Sequence, residues 1–459
     1  MRNEELGIRN YCIRYAVTLL CLTSLNAEST QEALDGFDDA PVQVEQKSAD
    51  VMDGFDDLNS TEVMEEKTQL VTGLTGKLTE QAAYSYNGTT PHDKFSSLKT
   101  SLFLDYEHKF ENGWRVKTNA KAYYDAIYDL RDESYSQDEL DALRSEVELF
   151  DAYVEGSITD SLDVKLGRQV VVWGRSDTIR ITDVLNPLDN RRPGMVDIED
   201  LRLPTTMLKF DFFWDNWRVT PIAILEQRFS KNPAFGSAFN PTPNPHLSEV
   251  DYDDVTYALS IGGEFSGWDV NFYAARIHDD AGYVKFAPAP SFTHGKVNMF
   301  GTALNVLSGS WLFKTELAYF DGLKYTSTQD KSFNRSDSLI GAEYKGIADT
   351  LISYDISLRH INGYDARLIN ERIALEKDTY QHAFRVSSDF LNASLTANYL
   401  ISLFGKKLDE GGFQRAWVKY ELGEGINMNF GVVDYIGGST FFDSIKDNDL
   451  VFVDVSYSF

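Results

Sequence analysis

Cysteine is nearly absent from this chain. Its two cysteines, Cys12 and Cys21, both fall within the first 21 residues, so everything downstream lacks disulfide staples and thiolate metal ligands. Long apolar runs are also missing. No window approaches the roughly 18–20 continuous apolar residues that a membrane-spanning helix needs. Basic residues are scarce, 43 Lys and Arg against 71 Asp and Glu, for a formal charge of −28. A surface of that sign excludes nucleic acid as a partner. Spacings such as His-x-x-x-His, which would hold a metal, do not occur. The seven histidines are His92, His108, His246, His278, His294, His360 and His382. None stands in a motif with a serine nucleophile and an orienting acid, so neither an enzyme nor a cofactor is expected.

What the chain has first is a leader. Arg2, Arg9 and Arg14 precede the apolar run "YAVTLLCLTSL", and "LNA" offers cleavage after Ala27. Residues 1–27 therefore read as a secretory signal, with Glu4 and Glu5 atypical for one. A lipoprotein signal at Cys21 would want a small residue before it, where Leu20 stands. Residues 28–68 hold 13 acidic residues against Lys47 and Lys67, a composition expected to stay disordered. Within this tail "LDGFDDAP" and "MDGFDDLN" nearly repeat. One reading is a solvated linker with a chance duplication. The other is a linear motif that docks a periplasmic protein through Asp35, Phe37 and Asp38, and again through Asp53, Phe55 and Asp56. The ligand spacing of a calcium loop is missing.

From about residue 69 to residue 459, segments of alternating polarity recur. In "WRVKTNAKAYYDAIY", Trp114, Val116, Ala120, Ala122 and Tyr124 share one parity, and Arg115, Lys117, Asn119, Lys121 and Asp125 the other. Such strands have one apolar and one polar face. Long and short links take turns between them, and aromatic residues make up 13% of the chain. Together these predict an all-β fold: a transmembrane up-and-down antiparallel barrel of about 18 strands, with 16 as the alternative. Short turns would face the periplasm and longer loops the exterior, in the outer membrane and in contact with its lipid. The final "VFVDVSYSF" alternates strictly and stops on an aromatic. Tyr457 and Phe459 are thus the expected signal to the barrel-assembly machinery. Charge must face the interior, because at the bilayer midplane it costs roughly 2–4 kcal/mol. A barrel of this size with a charged interior can leave an aqueous channel.

The stretch richest in candidate chemistry is "GRQVVVWGRSDTIRITDVLNPLDNRRPGMVDIEDLRLP", residues 167–204. Its elements "GRQVVVWG", "DVLNPLD", "RRPG" and "LRLP" resemble a segment of an uncharacterised family of Gram-negative outer-membrane proteins, often found beside RND-type exporters. The resemblance implies a porin-like barrel and names no substrate. Residues 168–204 interleave Arg168, Arg175, Arg180, Arg191, Arg192 and Arg202 with acids that include Asp183 and Asp189. A loop as long as 175–204 is rarely idle. It is expected to fold into the lumen as a constriction or plug. Its guanidinium groups would bind carboxylate or phosphate bidentately, or pair with the loop's own acids. Arg168 shares the parity of the lipid-facing Leu162, Val164 and Leu166. Either a bulge at Gly167 turns it inward, or it lies near the rim. The expected function is a channel for diffusion of small solutes. The alternative is an outer-membrane component of an export or lipid-transport system that receives its periplasmic partner through the DGFDD repeats.

Overall fold

The computed structural model describes residues 73–131 and 134–459. The leader, the acidic tail and both DGFDD segments lie outside the described residues. The strand count expected from the alternation is met, with eighteen strands forming one closed antiparallel sheet. They are β1 (Leu74–Ser85), β2 (Lys94–Lys109), β3 (Arg115–Asp125), β4 (Ser145–Thr159), β5 (Leu162–Gln169) and β6 (Thr205–Trp214). Then follow β7 (Trp217–Ile224), β8 (Thr256–Phe265), β9 (Trp268–His278), β10 (Lys296–Ser308), β11 (Trp311–Leu323) and β12 (Phe333–Ile347). The last six are β13 (Thr350–Asn362), β14 (Asp378–Phe390), β15 (Leu395–Phe404), β16 (Gly412–Gly423), β17 (Ile426–Ile436) and β18 (Leu450–Ser458). Each pairs with its sequence neighbours. β1 and β18 close the ring, from Ser85 opposite Leu450 to Lys77 opposite Ser458. Phe459 extends this seam, exchanging backbone hydrogen bonds with Gly76 at 2.8 and 2.9 Å. Its ring fills the space that a Cβ on Gly76 would need.

Links of two to five residues gather at one rim, and links of seven to 35 at the other. The outer wall carries the apolar parity, exposing Leu78, Leu166, Phe272, Phe300, Leu317 and Ile340 among others. Near the short-turn rim the aromatics form a girdle. Trp217 packs edge-on to Phe265 at 5.6 Å, Phe265 stacks on Trp268 at 4.3 Å, and Trp311 meets Tyr344 at 4.6 Å. Such a belt suits rings with one apolar and one wet edge. Among the described residues no helix is long and apolar enough to cross a membrane.

Two expected elements end early. β3 stops at Asp125, because its buried carboxylate accepts hydrogen bonds from Ser97 Oγ (2.6 Å) and from the amide of Leu98 (2.7 Å). The chain then turns into a short helix, Ile127–Leu130. A second short helix, Gln137–Leu143, is capped by Ser136. β5 likewise stops at Gln169, four residues before Trp173.

Candidate functional site: a segment folded into the lumen

Residues 170–204 link β5 to β6 and run inside the barrel. Their neck is closed by Asn186. Its Oδ1 accepts from the amide of Val171 (2.7 Å), and its Nδ2 donates to the carbonyls of Gln169 (3.2 Å) and Leu203 (2.9 Å). This is what pulls Val171 off the sheet. Trp173 then stacks on Tyr273 of β9 at 4.6 Å and is 3% exposed. Ile179, Ile181 and Leu185 bury against inward side chains such as Met207, Met299, Phe320 and Leu339. Each such burial contributes roughly 1.5–3 kcal/mol, so this half of the segment is held as a hydrophobic core within the lumen.

Polar wall residues fix the same half. Glu316 of β11, 1% exposed, accepts from the amides of Arg175 (2.6 Å) and Ser176 (3.0 Å) with one oxygen. Its other oxygen accepts from the amide (3.1 Å) and hydroxyl (2.7 Å) of Thr182. No cation among the described residues pairs with it, so four hydrogen bonds stabilise its charge. Asp355 of β13 accepts from Ser176 Oγ (2.6 Å) and Thr178 Oγ1 (2.7 Å). Arg175 pairs with Asp269 of β9, and Lys314 of β11 lies 3.2 Å from Asp177.

The second half crosses to the other walls. Asp197 takes Arg415 of β16, with Arg385 of β14 at 3.7 Å, and Tyr435 of β17 donates its hydroxyl to the carbonyl of Pro193. Arg191 bridges Asp189 (2.6 Å) and Glu146 of β4 (2.7 Å), and Arg192 reaches Asp125 of β3 at 3.1 Å. Burial alone would raise the Asp189 carboxyl, but the hydrogen bonds and charge of Arg191 hold it below its ordinary range. The same pairing outweighs burial at Arg191 and keeps its guanidinium charged. Inside the segment Asp183 holds Arg202 (3.0 Å) and Arg180 (3.1 Å). Thus Arg175, Arg180, Arg191, Arg192 and Arg202 all lie in the lumen, and each is met by a carboxylate of the segment or the wall.

Arg168 does not join them. It keeps the outward parity at the long-loop end of β5, opposite Ala152 and Thr206, and pairs with Glu226. The register of β4 and β5 is unbroken there, so no bulge turns it inward. Gly167 is needed for another reason. Its φ is +132°, and a Cβ would lie 2.2 Å from the carbonyl oxygen of Ala152.

A second segment, residues 225–255, spans the long-loop rim, and nothing in its sequence marked it out. Lys231 pairs with Glu146 (2.6 Å) and Glu148 (2.7 Å). Ser136 donates to the carbonyl of Phe235, and Asn448 to that of Ala238, both at 2.7 Å. Arg372 donates to Asn240 at 3.2 Å. Three other loops are tied across the mouth in this way. At the opposite rim a cavity of about 460 Å³ opens between Arg115, Glu155, Lys165, Lys209 and Asp211.

The histidines serve loops and the outer wall. His278 meets Asp254 at 2.9 Å, Phe229 stacks on His294 at 3.4 Å, and His92 meets Glu139 at 3.0 Å. Tyr354 and His382 bond at 2.8 Å on the outer wall. Among the described residues no group of three or more His, Cys, Asp or Glu side chains is arranged to hold a metal ion.

A closed ring of eighteen strands with an apolar outside, a charged inside and a segment folded into its bore has the porin-like fold of outer-membrane barrels. The chain is similar to several solved structures. OccAB3 of Acinetobacter baumannii is 11% identical over 84% of this chain and 98% of its own, with a TM-score of 0.52. The outer membrane protein OpdK of Pseudomonas aeruginosa is 11% identical over the same shares, with a TM-score of 0.49. OccK8 (OprE) of Pseudomonas aeruginosa has the same identity and coverage, with a TM-score of 0.48. No curated protein matches the sequence. Residues 16–459 match the model of the family described as "protein of unknown function (DUF1302)", and the chain belongs to that family.

Proposed function

We propose that the protein is an outer-membrane channel through which small polar solutes diffuse, with residues 170–204 as its constriction. One observation carries this reading. The segment is anchored on opposite walls through pairs that satisfy its charges, while the lumen toward the short-turn rim stays open and charged. In this arrangement the short turns face the periplasm, and lipid covers the apolar wall. The arginines of the segment hold it in place and are not free to grip a solute, since each already has a carboxylate. Selectivity then rests on the wall left uncovered, because the narrow region and not net charge sets it.

The test is single-channel conductance of the refolded mature protein in a planar bilayer, with and without residues 176–203. Steps that grow on deletion support a constriction. A full-length barrel that is silent and conducts only after deletion makes the segment a plug. Absence of current from both would overturn the channel reading. Attention would then pass to the acidic tail, whose DGFDD repeats are the chain's candidate for docking a periplasmic partner.

A further inference from the structure

The inner wall is not uniformly paired. Several inward cations have partners: Lys117 with Asp105 at 3.4 Å, Lys165 with Glu155 at 3.2 Å, Lys209 with Asp211 at 2.8 Å. Four inward lysines do not. Among the described residues no carboxylate lies within 4 Å of Lys77, Lys99, Lys121 or Lys419, although each shares the inward parity of buried neighbours (Ala83, Ser97, Asp125 and Trp417).

The sheet gathers these four onto one strip. Lys77 and Lys121 stand in one register row, either side of Phe103. Another row runs Lys419, Asn429, Asp454, Gln81, Lys99, Asp125 across β16, β17, β18, β1, β2 and β3. Strands about 4.8 Å apart put alternate members of a row roughly 10 Å from each other. Lys77, Lys121 and Lys419 are exposed although they point inward, so they meet lumen water. Asp454, bonded by Asn429 at 2.9 Å, is the carboxylate within range of Lys77, Lys99 and Lys419. The carboxylates near Lys99, Asp125 and Asp189, are already taken by Arg192 and Arg191. Lys77, Lys99 and Lys419 thus share one carboxylate, and Lys121 stands opposite Glu148, which Arg228 and Lys231 already hold.

We propose that this strip is the path of anionic solutes, and that the channel prefers small carboxylates and phosphates over cations despite the acidic chain. The proposal rests on the channel reading and adds its substrate class. Ammonium groups spaced at roughly 10–20 Å along one strip let an anion pass from one to the next without being held, as conduction requires.

The experiment is the reversal potential of the refolded mature protein in a potassium chloride gradient, before and after Lys77→Gln with Lys121→Gln. A charge about 5 Å from a passing ion in water, screened at physiological salt, changes its local population about twofold. Chloride preference that falls by about twofold per lysine removed is the expected result. A wild-type channel that prefers potassium overturns the proposal, even if the variant does not refold. So does a chloride preference that the double variant leaves unchanged. Either outcome leaves the channel reading standing, whereas absence of current strikes that reading instead.

Discussion

Replacing Glu316 by alanine tests how the lumen segment is held. The wild-type carboxylate is buried and receives four hydrogen bonds from residues 175–182, three of them from backbone amides. A hydrogen bond to a charged group contributes about 1.5–3 kcal/mol net, and a buried donor left unmet costs a comparable amount. Water will enter the space left by the side chain and satisfy part of the set. If only two bonds go uncompensated, local stability falls by about 3 kcal/mol, a rise of roughly a hundredfold in the opening constant. The barrel itself should not notice, since its strand ladder does not use this side chain. Amide hydrogen exchange at Arg175, Ser176 and Thr182 should therefore quicken by about two orders of magnitude, with strand amides unchanged. Single-channel records should gain flicker. Glu316→Gln, which keeps one acceptor oxygen, should fall between. Exchange at these amides that stays at the wild-type rate in Glu316→Ala would refute the idea that this carboxylate cinches the segment.

Two further outcomes follow from the geometry. Gly167→Ala should lower the unfolding midpoint of the refolded barrel, because the positive φ and the clash with Ala152 together cost on the order of 1–3 kcal/mol; an unchanged midpoint would mean that β4 and β5 shift freely there. Asp189 has a depressed pKa, so its link to Arg191 is fully present above the ordinary aspartate range and is lost as pH falls through the depressed value. Through this group, conductance should be flat from about pH 5 to 8 and rise only below about pH 4, and growth near pH 6 would show that another group anchors the segment.

Much of the architecture was legible in the residues themselves. Lys117 and Val116 face opposite media, and that choice is made residue by residue by the cost of charge in lipid, so alternation can be read locally. Loop lengths alternate for a reason equally local, since a two-residue hairpin at residues 215–216 and a 35-residue link need no knowledge of the rest. The arginines of 175–204 were placed in the lumen on the same grounds. Their partners were not legible. Arg191 chooses Asp189 and Glu146, while Arg415 chooses Asp197 across 218 residues of chain. Glu316 carried no signal at all, being one inward acid among many along the wall.

What the sequence determined by itself was therefore the barrel: its strands, its inside and outside, and a charged segment too long to be a mere link. These follow from period-two polarity against two solvents, a property each strand carries alone. Where β5 ends was decided only in three dimensions, because Val171 could have continued the ladder until Asn186 captured its amide and Trp173 found Tyr273. The same holds for the lysines. Lys121 and Lys165 look alike as inward cations of an alternating strand. Only the register of the sheet puts Glu155 opposite Lys165 as its partner, while Glu148 opposite Lys121 is taken by Arg228 and Lys231, since pairing across a sheet depends on register and not on neighbours in the chain.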